Sequence, residues 1–305
     1  MRSSVRSPEE KDIPSLQLIW RTAFGDGDIA AFFSHYYEPN LCAAVYSGSV
    51  PVAAGYLLPA GRLITGQTVE PCAMIYAVAT LPGYRSRGFA AAITNELLAI
   101  GREAGFTAVA LCPSEDSLFG YYSSRTDLRD WFYISERKIF GAPAFRVNPA
   151  LNRVEAAEYL CLRESLLTNT AHIEPDLRAL NYQTLLSSEF GGGFFHIDEP
   201  GAASCAAIEI DKSGTVWIRE LLSPDGYYDN AVRAVTAAFA APEYVVRTPA
   251  RIIQPGADDT ENYSGVTRRF GMLSAGELPV KRTDGVSMAG FGAMSQMPWL
   301  GFAFD

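Results

Sequence analysis

Apolar residues along the chain fall first into a helical rhythm. In PEEKDIPSLQLIWRTAFGD (residues 8–26), Ile13, Leu16, Ile19 and Trp20 lie on one face, Ser7 is a candidate cap, and acidic residues fill the first turn. A short second helix is predicted over DIAAFFSHYY. The pattern then changes to β-favouring runs broken by turn residues, from LCAAVYS to CAMIYAVATL. Ser47-Gly48 and Gly66-Gln67 are natural hairpin tips, so three antiparallel strands are expected, the last ending near Leu81.

From Gly88 the period returns to that of a helix, with Phe89, Ile93, Leu97 and Ile100 on one face and Gly105 as the stop. FTAVALCP is continuously apolar and short, which predicts a buried strand. SEDSLFGYYSSR reads as a short helix with Ser114 as its cap, and DWFYISERKIF as a strand or a hairpin. Residues 141–152, GAPAFRVNPALN, lack periodicity and carry two prolines and two asparagines, so the boundary between an N-terminal domain (1–145) and a C-terminal domain (146–305) is placed there.

Beyond that boundary the same order of elements returns. Two helices (RVEAAEYLCLRESLL and EPDLRALNYQTLLSSEF) precede three strands (GFFHI, SCAAIEID and TVWIRELL), then a helix (GYYDNAVRAVTAAFA) and a strand (YVVRT). Helix, helix, three strands, helix, strand occurs twice, which predicts a duplicated α/β fold with mixed sheets.

Composition narrows the function classes. The chain has 305 residues, 48% hydrophobic and 19% charged, and a formal net charge of −9. Such a surface repels a long polyanion, so nucleic acid is not an expected partner. The five cysteines are odd in number, widely spaced and set in apolar runs, as buried reduced thiols are, and the three histidines stand apart. No CxxC or HExxH occurs, so no metal is expected. No apolar run reaches the roughly 18–20 residues of a membrane span, and MRSSVRSPEEKD lacks the apolar stretch of a signal peptide. The expected address is the cytoplasm.

The candidate chemistry lies at a strand-to-helix turn. After the strand ending at Pro82 comes YRSRGFA, two arginines and a glycine directly ahead of a helix. Unpaired N–H groups and the partial positive charge of a helix start bind anions, Gly88 lets one approach the backbone, and Arg85 and Arg87 supply counter-charge. VATLPGYRSRGFA resembles motif A of the GNAT (GCN5-related N-acetyltransferase) superfamily, an Arg or Gln, two residues, Gly, one residue, then Gly or Ala. Arg85, Gly88 and Ala90 match it. The resemblance covers about residues 10–140, and element order alone extends it further.

It implies tandem acyl-CoA N-acyltransferase folds whose second copy is degenerate, similar to the enhanced-intracellular-survival type. It implies acetyl-CoA as co-substrate, with no metal. Val78, Ala79 and Thr80 would pair through their backbone with the pantetheine arm, and Arg85, Ser86, Arg87, Gly88, Phe89 and Ala90 would hold the pyrophosphate, with Ser114 near the coenzyme. The family's helical tyrosine matches Tyr122, the implied proton donor to the departing thiolate. Tyr121 is read as packing. Thr126-Asp127 stands where the family has Gly-Phe.

The general base stays open. Glu70 lies just ahead of a strand without carboxylates, and MPWLGFAFD brings the chain end, Asp305, to an apolar tail. A terminal carboxylate acts as base in some duplicated folds of this type, but a last strand closing a sheet is the stronger reading of the tail. At the corresponding place the second half has SPDGYYDNA, where Asp225 would repel phosphate or cap the helix, and FGGGFF is read as a flexible start to a strand. The expected activity is acetyl transfer to a primary amine of a small molecule or protein, by direct attack on the thioester. The alternative is a non-catalytic acyl-CoA binding or sensing protein; a homo-oligomer is compatible with either.

Overall fold

The computed structural model describes residues 4–27, 29–141, 150–188, 191–251, 265–275 and 296–301. By contacts the chain divides into two units, one of residues 1–63, 69–131 and 271–277, the other of residues 64–68, 132–270 and 278–305. Residues 142–149, within the expected boundary segment, lie outside the described residues.

The first unit begins with β1 (Val5–Arg6), then α1 (Ile13–Phe24) and α2 (Ile29–His35). The start of α1 differs from expectation. A 3-10 turn over Glu10–Asp12 precedes it, and the Asp12 carboxylate, not Ser7, takes the Glu9 amide (3.0 Å) together with the Tyr46 hydroxyl (2.6 Å). Both hairpins form as expected, from β2 (Cys42–Ser47), β3 (Val50–Thr65) and β4 (Thr68–Thr80). Helix α3 (Phe89–Glu103) then crosses to β5 (Ala108–Leu111), which pairs parallel to β4 with Cys72 opposite Ala108 and Ile75 opposite Leu111. The helix α4 (Asp116–Ser123) follows. On the far side of β5, Met272–Ala275 pairs antiparallel with it.

Residues 51–58 of β3 are buried without alternation, because the sheet is covered on both faces. One face carries rings: Trp20 stacks on Phe32 at 4.8 Å, with Tyr56 and Tyr76 around them. The other carries Leu57, Ile75, Ile93, Leu97 and Val109. Gly55 sets how closely α3 lies on that face, since a Cβ there would stand 2.7 Å from Ile93 Cγ2 and 3.1 Å from Val78 Cγ2.

Ile75 and Val78 pack against this same core although they are three apart in sequence. Side chains of a strand alternate, so an odd separation requires one extra residue. Ala77, at φ +49°, is that residue. The bulge re-aims Val78–Thr80 just where β4 runs on past the end of β5.

The second unit holds Phe132–Phe140 of β6 (Arg129–Phe140), then β7 (Ala150–Val154), α5 (Ala156–Leu166), β8 (His172–Glu174), α6 (Leu177–Ser187), β9 (Gly193–Glu199), β10 (Ala202–Ile210), β11 (Val216–Leu222), α7 (Tyr228–Ala238) and β12 (Glu243–Pro249). Here too the third strand of the meander, β11, runs parallel to the strand beyond its helix, β12, with Val216 opposite Tyr244. The two units thus share a strand-helix-strand crossover at the same place in their element order. Sequence reading missed β1, β7, β8 and β13 (Val266–Ala275). All four are strands whose partners lie far away in sequence.

A buried ionic cluster ties α5 to β11. Arg163 Nε meets Glu220 Oε1 at 2.9 Å with both side chains at 1% exposure or less. The Tyr159 hydroxyl and Trp299 Nε1 also donate to Glu220. Arg163 Nη1 reaches Glu164 at 2.7 Å, and His172 sits between Glu164 and Thr170 O. Burial raises the Glu164 carboxyl, but His172 and Arg163 outweigh it and hold the group below its ordinary value. Its contribution to stability is full above the ordinary carboxylate range and is lost as pH falls through the depressed value.

Removing one partner leaves the other as an unpaired charge in the interior. Arg163→Met should therefore lower stability by about 3–5 kcal/mol, while Arg163→Met with Glu220→Leu should recover most of the loss. Urea denaturation of both variants checks this.

Candidate functional site

The segment between β4 and α3 is a turn followed by a left-handed corner. A 3-10 turn (Pro82–Tyr84) ends where the Arg85 amide bonds Pro82 O at 3.3 Å. Ser86 then takes φ +62° and Gly88 φ +78°. Left-handed residues close together turn successive N–H groups towards one side, which makes an anion-binding concavity. At Gly88 a side chain would be strained by φ, although a Cβ would meet nothing within 4 Å.

Among the described residues, the amides of Ser86, Arg87, Gly88, Phe89 and Ala90 have no acceptor. The next amide is taken: Ala91 N–H donates to the Tyr121 hydroxyl at 3.2 Å. Tyr121 thus caps α3 from the neighbouring helix and leaves the preceding amides open.

Ser86, Gly88, Phe89 and Ala90 of this row face an open cavity of about 510 Å³. Thr80, Tyr84, Arg85 and Ser86 line it from the loop, and Gly88, Phe89 and Ala90 from the helix start. The opposite wall is α4, through Leu118, Tyr121 and Arg125. Among the described residues no carboxylate or imidazole lines it. Both loop arginines fold back onto main-chain oxygens, Arg85 Nε to Thr80 O at 3.2 Å and Arg87 Nη2 to Gly83 O at 3.0 Å. Arg87 also lies over the Tyr84 ring at 5.1 Å and does not line the cavity.

An arrangement of open amides, a guanidinium and a cavity walled by tyrosine suits a phosphate-bearing ligand with an extended arm. Residues 4–125, about two fifths of the chain, match the family model described as acetyltransferase (GNAT) domain. No protein of curated function matches the sequence.

Solved structures share the fold across both halves. A GCN5-related N-acetyltransferase from Kribbella flavida is similar at 15% identity and a TM-score of 0.63, over 90% of this chain and 71% of that one. One from Anabaena variabilis is similar at 15% identity and a TM-score of 0.64, over 89% and 72%. Eis1 from Mycobacterium abscessus follows at 13% identity and a TM-score of 0.55, over 90% and 73%. The GNAT relationship and the mixed α/β acyltransferase fold suggested by YRSRGFA both hold.

Six of the positions expected to hold the coenzyme line the GNAT cavity: Thr80, Arg85, Ser86, Gly88, Phe89 and Ala90. Val78 and Ala79 lie on the re-aimed end of β4, Ala79 buried and Val78 half-buried against the core. Ser114 is exposed and is not the cap of α4; the helix starts two residues later, with Glu115 extended at the N-cap.

The two tyrosines exchange the settings expected for them. Tyr122, read as the one at the thioester, is 5% exposed and belongs to the core beside Phe119, while Tyr121, read as packing, faces the cavity. Helical spacing explains it: 118, 121 and 125 share one face of α4, and 119 and 122 another. Burial pushes the Tyr122 phenol up to about 12, with Tyr121 adding to the rise and the Thr94 hydroxyl opposing it. Tyr122 therefore stays neutral, edge-on to Tyr121 at 5.3 Å. Sequence reading passed over Arg125, although the i, i+3, i+7 spacing from Leu118 carries the signal.

Other candidates lie elsewhere. Glu70 accepts from the Thr107 hydroxyl and is six residues before Tyr76, roughly 20 Å along the strand. Asp305 lies outside the described residues. Asp225 does not cap α7; it pairs with Arg251 at 2.6 Å, and Tyr227 stands at the N-cap. The second glycine run is held as well, since Arg153 donates to Gly192 O at 2.8 Å and Gly191 O at 2.6 Å. Cys42, Cys72 and Cys205 are buried free thiols as expected, Cys112 is half-buried, and Cys161 is exposed. Among the described residues no cluster could hold a metal, and no helix is long and apolar enough to cross a membrane.

Tyr121→Phe removes the only acceptor of the Ala91 amide. It should cost about 1 kcal/mol of stability, and should speed hydrogen exchange at Ala91 while leaving exchange at Ile93 and beyond nearly unchanged.

Proposed function

We propose that this chain is an acetyl-CoA-dependent N-acetyltransferase, acting on a primary amine of a small molecule or protein by direct attack on the thioester. The observation that carries the reading is the row of unpaired amides from Ser86 to Ala90, opening on a cavity that Arg85 also lines. Such donors fit the diphosphate of coenzyme A without rearrangement of the backbone.

Bound acetyl-CoA supplies an acyl carbon already activated as a thioester. The chain supplies position. Val78–Thr80 extends beyond the end of β5, so its backbone is available to an extended arm by strand addition. Tyr121, bonded to the Ala91 amide, lies at the diphosphate end of the cavity. The proton for a leaving thiolate is assigned to Tyr122, the phenol that the family pattern matches and that burial keeps protonated; a thiol of pKa near 8.5 leaves readily enough for a well-placed phenol to serve as its acid.

No lining residue can take a proton from the attacking amine. The candidate for that task is Asp305, whose carboxylate pKa, ordinarily about 4, must be raised by desolvation. The net charge of −9 favours a cationic acceptor. The second unit, with an Asp225–Arg251 pair where the first has its cradle, serves acceptor binding or self-association rather than coenzyme binding.

Among the described residues no carboxylate or imidazole lines the cavity to act as base, which favours one competing reading, a protein that binds acyl-CoA without turning it over. Thiol release from acetyl-CoA with a panel of amines, beside calorimetric binding of coenzyme A, separates the two. Arg85→Ala with Gly88→Asp should weaken coenzyme binding by roughly a hundredfold; unchanged affinity sinks the cradle. Binding without turnover on any amine favours the sensor.

Deleting residues 303–305 should lower turnover by at least about a hundredfold with coenzyme affinity kept within about threefold. Parallel loss of both would make the tail a structural element only.

A further inference from the structure

We propose that Arg125 recognises a second phosphate of the ligand, the phosphomonoester on the ribose of coenzyme A, and so makes the site prefer coenzyme A over its 3′-dephospho form. The inference rests on the coenzyme reading above. It adds a specificity-determining residue on the wall opposite the amides.

The diphosphate alone is served by the start of α3. Four open amides, those of Ser86, Gly88, Phe89 and Ala90, and the guanidinium of Arg85 are enough for it, and all of them belong to one loop and one helix end. Arg125 belongs to neither. It leaves the C-terminal end of α4 and reaches the cavity from the other wall.

Its setting is built to hold the guanidinium in place. The group lies over the Tyr121 ring at 4.5 Å, an arrangement that favours the planar cation of arginine. Nη1 donates to Ser124 Oγ at 2.9 Å and lies 3.4 Å from Tyr121 O. The main chain is fixed from α3, where Asn95 Nδ2 donates to Arg125 O at 3.0 Å. Nε and Nη2 have no acceptor among the described residues, and no carboxylate pairs with the group.

Arg6, Arg21, Arg137 and Arg251 each have a carboxylate within 4 Å. Arg85, Arg87, Arg129 and Arg153 bond main-chain oxygens instead, and of these only Arg85 shares the cavity with Arg125. A cation left without a carboxylate, stacked and anchored at the side of an anion-binding cavity, has donors in hand for a ligand. A phosphomonoester is close to dianionic near neutral pH and takes a forked pair of N–H bonds. A second anionic group, separate from the diphosphate, is what a second cation on a separate wall can read.

Titration calorimetry on the full chain tests this, using coenzyme A and 3′-dephospho-coenzyme A as probes against wild type, Arg125→Ala and Arg125→Lys. The wild type should bind coenzyme A roughly tenfold or more tightly than the dephospho form. Arg125→Ala should bring coenzyme A down to the dephospho level and leave dephospho affinity within about twofold. Arg125→Lys should keep part of the preference, and raising salt should shrink it in the wild type.

Equal wild-type affinity for the two probes overturns the proposal while leaving the amide cradle intact. So does an Arg125→Ala loss that falls equally on both probes, which would assign the residue to the diphosphate or to holding Tyr121. If neither probe binds the wild type, the coenzyme reading fails and this inference fails with it.

Discussion

Unpaired backbone N–H groups at the start of α3 are the constraint around which the first unit is arranged. A helix cannot satisfy its first amides internally, and burying them would cost free energy. Here they are kept in the open by two left-handed residues, Ser86 and Gly88, and the nearest side-chain cap, Tyr121, stops one residue short of them. The close contact at Gly55 seats the helix on the sheet, and the Ala77 bulge turns the end of β4 where β5 has already stopped. Each of these departs from regular structure, and each departs at the same end of one parallel crossover.

The second unit shows what the same crossover does without that constraint. β11, α7 and β12 repeat the parallel arrangement, but the turn before α7 carries Asp225 paired with Arg251 where the first unit has Arg85 bonded only to a main-chain oxygen. A carboxylate at a helix start answers the local positive charge from within the chain. The interior of that unit is organised by Arg163 and Glu220 instead, a buried pair that binds helix, strand and C-terminal segment through Tyr159 and Trp299.

Much of this was legible in the sequence because it is local. The period change at Gly88 gave α3, Gly48 and Gly66 gave the hairpins, and Arg85, Gly88 and Ala90 gave the loop. What was not legible depends on partners distant along the chain. The short strands β7 and β8 have no pattern of their own, and the pairing of Met272–Ala275 with β5 spans more than half the sequence. The exchange of Tyr121 and Tyr122 is subtler. Adjacent tyrosines on a helix point about 100° apart, and only the packing of Phe119 and Tyr122 decides which of the two faces the core.

Tyr121 has one oxygen and two claims on it. While the phenol accepts from Ala91 the start of the helix is satisfied at that position; a ligand that draws the phenol away strands the amide unless it brings an acceptor of its own. Visitors that bring a lone pair can make that repayment and purely apolar ones cannot. The cap therefore works as a filter on hydrogen-bond acceptors, built from the ordinary requirement that a backbone donor not go unanswered.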